Sequence, residues 1–85
     1  MHQKAIEALI RKKSMIKIVV GIVLFNQLIN HVGTESNELR NALGITHQNF
    51  NYYLHHDQFF QDELKKHNIS FRKEGYRNVF RIKFK

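Results

Sequence analysis

The apolar residues of this chain recur at spacings of three and four as far as His67, and at a spacing of two from Ile69 onward. A side chain returns to the same face after about 3.6 residues in a helix and after two in a strand, so the change of period predicts helices followed by a β-hairpin. Ile69 and Phe71 alternate with Ser70 and Arg72, and Phe80, Ile82 and Phe84 alternate with Arg81, Lys83 and Lys85. Lys73-Glu74-Gly75-Tyr76 supplies the turn. Pairing Phe71 with Phe80 sets Ile69 opposite Ile82, with all four on one face and a cationic face behind them. The fold class expected is α+β.

The helical part divides at Ser14. His2 to Lys13 carries Ile6, Leu9 and Ile10 on one face and reads as a short amphipathic helix. Ser14 to Val32 is apolar nearly all round, with no charge between Lys17 and Glu35. Ser14 is its expected N-cap, and Gly33 sits where a C-cap glycine belongs. A membrane span needs about 20 mostly apolar residues. Asn26, Gln27, Asn30 and His31 break the back half here, so no span is read.

Strand competes with helix over Met15–Phe25, where β-formers cluster and Gly21 weakens a helix. The recurrence of Ile18, Ile22, Phe25, Ile29 and Val32 at spacings of four and three favours helix. Val19, Val23 and Leu24 widen the apolar surface beyond what one small core needs. A helix apolar on most sides is usually buried on two. Residues 14–32 are therefore expected to pack both on the chain's own core and on a second copy, as a homodimer.

Eighty-five residues make one domain, and 42% apolar residues with seven Phe, three Tyr and no proline mark it as globular. Phe59, Phe60, Phe71, Phe80 and Phe84 fall on apolar faces and read as core. With no cysteine there is neither a disulfide nor a thiolate metal site to support so small a core, which again favours a partner subunit. The opening MHQKAIEALIRKK is charged and amphipathic rather than a secretory signal, so the cytoplasm is the expected location.

Net charge is +7 and sits at the ends. Residues 1–20 hold five bases against Glu7, residues 21–64 hold Arg40 against five acids, and residues 65–85 hold eight bases against Glu74. Such basic surfaces attract polyanions, because each neutralised phosphate releases condensed counterions. Catalysis finds no support: there is no nucleophile elbow, phosphate-cradling glycine loop or set-apart carboxylate pair. The six histidines, His2, His31, His47, His55, His56 and His67, show no ligand spacing such as H-E-x-x-H. No metal, cofactor or small-molecule ligand is inferred.

Function is read from the run Glu38 to Leu54. Thr34 or Ser36 can cap a helix ending at Leu43, Gly44 provides a tight turn, and Thr46 can cap the next helix. Leu39 and Leu43 lie four apart on one helix, Phe50 and Leu54 four apart on the next, and Ile45 plugs the corner. With Phe50 and Leu54 inward, His47, Gln48, Asn49, Asn51, Tyr52 and His55 face outward. A surface rich in amides and imidazoles suits hydrogen bonding to base edges, since Asn and Gln can pair bidentately with adenine.

Leu39, the turn Leu43-Gly44-Ile45-Thr46, and apolar residues five and nine positions after Ile45 form a pattern that resembles the helix-turn-helix of the winged-helix superfamily of DNA-binding regulators. Two positions depart from it: Arg40 stands where the family usually has a small residue, and Phe50 where it usually has Val. The resemblance implies residues 1–85 as a single winged helix-turn-helix domain. Its parts would be N-terminal helices over 1–32, the helix-turn-helix over 34–56 and a two-stranded wing over 69–85. It further implies base readout by His47, Gln48, Asn49, Asn51, Tyr52 and His55, with backbone contacts from Arg40, Thr46, Arg72, Lys73, Tyr76, Arg77 and Arg81.

Sequence-specific binding of double-stranded DNA by a small transcriptional regulator is the function this implies. A phage- or plasmid-type replication or recombination accessory factor would look the same. The competing classes are a protein-interaction module docking through residues 15–32, and a peripheral membrane or RNA binder driven by the basic hairpin.

Overall fold

The computed structural model describes residues 3–84. Met1, His2 and Lys85 lie outside the described residues, and with them the outer ends of the expected first helix and hairpin. Among the described residues the fold is α+β, with four helices and a three-stranded antiparallel sheet.

One helix, α1 (Gln3–Leu28), stands where two are expected. Ser14 lies in its middle, exposed, and caps nothing. A single serine costs a helix only a few tenths of a kcal/mol against alanine. A salt bridge from Lys12 Nζ to Asp57 Oδ2 at 2.7 Å also holds the N-terminal half to the body across the expected break. The strand alternative over Met15–Phe25 is not realised. Met15, Ile16, Val19 and Val23 lie on one helical side and are all buried, a spacing that a strand would scatter over two faces.

The stripe that argues for helix is not the one that packs. Ile18, Phe25, Ile29 and Val32 remain exposed and Ile22 half-buried, while the side around Val19 and Val23 meets the core. Ile6, Leu9 and Ile10 are exposed as well.

After Leu28 the chain leaves α1 through His31, whose φ of 59° takes the left-handed position, and the Val32 N–H donates to the Asn26 carbonyl at 3.1 Å. The left-handed step that ends the helix is thus taken by His31 and not by Gly33, where it was expected. Gly33 answers a different need: a Cβ there would overlap Val79 Cγ1 and press on the Arg81 guanidinium.

β1 (Thr34–Glu35) pairs antiparallel with β3 (Arg77–Ile82), which also pairs with β2 (Ile69–Glu74), so the sheet order is β1-β3-β2. A two-residue strand has no period, and the sequence pattern therefore misses it. The β2–β3 register is the expected one, Ile69 against Ile82 and Phe71 against Phe80. The turn is shorter than expected, because Glu74 already pairs with Arg77 and only Gly75 and Tyr76 are left to reverse the chain.

α2 (Ser36–Leu43) starts after Glu35 with no side-chain cap, so neither Thr34 nor Ser36 plays that part. The Thr34 hydroxyl instead accepts a hydrogen bond from Asn26 Nδ2 at 2.9 Å, and the same amide donates to the Glu38 carboxylate at 3.1 Å. α3 (His47–His56) and α4 (Gln58–Lys66) complete the set, and Asp57 caps α4 by accepting from the Phe60 N–H.

Helices and sheet meet in one core. Leu39 of α2, Phe50 of α3, Phe60 of α4, Phe80 of β3, and Val19 and Val23 of α1 are at most 1% exposed. Phe80 links the layers, its ring 4.8 Å from that of Phe71 and 6.0 Å from that of Phe50. Phe59 is only half-buried, and Phe84, expected in the core, is exposed because the strand that would turn it inward ends at Ile82. Among the described residues no helix is long and apolar enough to cross a membrane.

Candidate nucleic-acid interface

The corner between α2 and α3 is built by a few local bonds. Gly44 closes α2 at φ 67°, where a Cβ would be strained, and the Ile45 N–H donates to the Arg40 carbonyl at 3.3 Å. Thr46 then starts α3, its hydroxyl accepting from the Asn49 N–H at 3.1 Å. Phe50 and Leu54 are buried, and this fixes which side of α3 points away from the core.

His47, Gln48, Asn49, Tyr52 and His55 are exposed and Asn51 is half-buried. They are not equally free. Asn51 Nδ2 lies 3.3 Å from His47 Nε2 one turn earlier, Tyr52 packs against Tyr53 and His56, and His55 meets the Phe71 ring edge-on at 5.9 Å. Among the described residues the side-chain amides of Gln48 and Asn49 make no hydrogen bond. α3 carries no Lys or Arg. Its His56, beside Tyr52 on the exposed surface, extends the surface beyond the expected last residue, His55.

The contact of His55 with Phe71 brings β2 beside the C-terminal end of α3, and Tyr53 stacks on Phe60 of α4 at 5.3 Å. Strand alternation then divides the basic residues of the hairpin. Phe71, Phe80 and Ile82 face the helices, and by the same register so do Lys73 and its partner Asn78. Arg72, Arg77 and Arg81 stand on the opposite face. The resemblance treats Arg72, Lys73, Arg77 and Arg81 as one set, but only Lys73 lies on the side of α3. Asn78 is the residue that sequence reasoning missed, although the Phe71–Phe80 register already placed it beside Lys73.

The far face is a surface of ion pairs. Arg77 Nη1 bonds Glu35 Oε2 at 2.9 Å, and Glu74 accepts from both Arg81 and Arg72. The Arg81 hydrogen bond, against some desolvation and with help from Arg72, holds the Glu74 carboxyl below its ordinary value. Tyr76 projects from the hairpin tip fully exposed.

Arg40 is not turned fully outward. It is half-buried on α2, and its Nε is buried with no hydrogen-bond partner. An unpaired buried donor costs about 1–3 kcal/mol. Among the described residues no three His or acidic side chains come together as a metal site would require. Comparison with protein-family models, with curated proteins and with solved structures finds no match for this chain.

Proposed function

We propose that this chain is a winged helix-turn-helix protein of the cytoplasm that binds double-stranded DNA sequence-specifically, as a small transcriptional regulator, with α3 as its recognition helix and the β2–β3 hairpin as its wing. One observation carries the reading. Gln48 and Asn49 hold unengaged amides side by side on a helix whose inner face is fixed by Phe50 and Leu54.

In the major groove such amides pair with the N6 and N7 edge of adenine. His47, Asn51, Tyr52 and His55 complete the surface, and the Thr46 hydroxyl keeps its proton free for a phosphate oxygen. Lys73, on the hairpin face that carries Phe71, and Tyr76, at the exposed tip, contact the backbone. Arg72, Arg77 and Arg81 add to the positive field from the far face, and the outer guanidinium nitrogens of Arg40 reach a phosphate beside the corner.

The test is binding to mixed duplex DNA over a range of salt, beside single strands and anionic vesicles. The reading expects duplex binding that weakens steeply with salt. Replacing Gln48 or Asn49 by Ala should relax sequence preference at a cost of about 1–3 kcal/mol per lost contact. Absence of duplex binding at low salt would overturn the reading and leave a protein-interaction module.

A further inference from the structure

We infer that α1 pairs with α1 of a second copy of this chain, running antiparallel, along the line Ile18, Ile22, Phe25 and Ile29. The inference does not depend on DNA binding. Along this line Ile18, Phe25 and Ile29 are 41%, 57% and 62% exposed, although the adjoining side of the same helix, with Met15, Val19 and Val23, is buried in the core. Their spacings of four, three and four residues are those with which one helix seats its side chains between those of another. Beside them Gly21 is open, with nothing within 4 Å of a Cβ built there, so a second backbone can approach closely.

Extent and charge select the occupant and its direction. Together with Leu28, these side chains leave about 400 Å² of apolar surface per copy, taking roughly 200 Å² for a fully exposed large side chain. A standard interface takes about 800 Å² per partner, and the polar flanks of α1 supply the difference. The line continues toward the N-terminus through Arg11 and Lys4, each seven residues from the next. A parallel pair would set Arg11 against Arg11 and Lys4 against Lys4 in the seam. An antiparallel pair centred between Ile22 and Phe25 sets Ile18 against Ile29 and carries the cations past the partner's apolar segment.

Sedimentation equilibrium of the full chain at micromolar concentration is expected to give the mass of two chains, and Phe25→Glu the mass of one. Because Phe25 is exposed within the single chain, that variant should keep the wild-type far-ultraviolet circular dichroism. The chain has no cysteine, so direction can be read by cross-linking. Ile18→Cys and Ile29→Cys chains should form a disulfide when mixed, and neither should do so alone. A monomeric wild type, a Phe25→Glu variant that stays dimeric, or Ile18→Cys cross-linking to itself would each overturn the inference. A monomer that floats with anionic vesicles would overturn it in favour of a lipid surface.

Discussion

Gln27 and Ile82 exchange two hydrogen bonds: Gln27 Nε2 donates to the Ile82 carbonyl at 2.6 Å, and the Ile82 N–H donates to Gln27 Oε1 at 2.8 Å. β1 is only two residues long and pairs with β3 at Val79 and Phe80. Two residues further along β3, the Gln27 amide does for Ile82 what Val32 would have done had β1 run on in the same register. A helix side chain thus completes the sheet edge and ties α1 to the β2–β3 hairpin.

Replacing Gln27 with Met keeps the bulk and removes both bonds. It strands the Ile82 N–H and C=O in a partly buried place, where an unsatisfied group costs about 1–3 kcal/mol. Urea unfolding should show a loss of about 2–4 kcal/mol. A change below half a kcal/mol would mean that water replaces the amide at no cost.

Gly33→Ala should destabilise the chain by about 1–3 kcal/mol, the usual range for overpacking a filled site. Its new methyl group would overlap Val79. Val79→Ala should recover part of the loss in the double variant. Additive losses would show that the backbone, rather than the Val79 contact, sets the requirement for glycine.

Asp57 should govern acid stability. Burial opposes its charge, but the Lys12 hydrogen bond, the Phe60 N–H and the Lys12 charge outweigh burial and hold the carboxyl below its ordinary 3.8. A depressed carboxyl contributes stability that is present above its unfolded value and is lost as pH falls through the folded one. Stability of the wild type should therefore drop as pH falls below about 4. In Asp57→Asn, which still caps α4, that part of the drop should be missing from unfolding curves measured across pH.

Arg40→Met should raise stability by about 1 kcal/mol, since it removes a buried donor without a partner and keeps an unbranched stem in place. The same variant should bind duplex DNA more weakly at every sequence. Unfolding curves and salt titrations of binding report the two effects separately. A destabilised Arg40→Met would show that the guanidinium holds the α2–α3 corner together.

The two faces of the hairpin should separate in salt titrations. Lys73→Ala should lower the slope of log affinity against log salt by about 1. Arg77→Ala should change it less, because the Arg77 charge is already engaged by Glu35 on the far face. Equal effects would place both faces of the hairpin against DNA.

Features carried by spacing within a few residues of chain were legible without a structure. The change of period at Ile69 marked the hairpin, and the Phe71–Phe80 register followed from alternation. Gly44 and Thr46 marked the corner, and Phe50 and Leu54 the buried side of α3. Each is settled by backbone geometry and by neighbours close in sequence.

Tertiary packing decided the rest. α1 carries two apolar sides, and which one is buried depends on what Leu39, Phe60 and Phe80 bring against it, so spacing alone chose the exposed stripe. α1 runs unbroken through Ser14, and its N-terminal half is held to the body by Lys12 reaching Asp57, 45 residues away in the chain, a contact that local spacing does not reveal. β1 is too short to have a pattern, and it forms because β3 offers it a free edge and Asn26 takes the Thr34 hydroxyl. Alternation already divided the hairpin into two faces, but that its apolar face packs on α3 was decided by the burial of Phe80 against Phe50, their rings 6.0 Å apart.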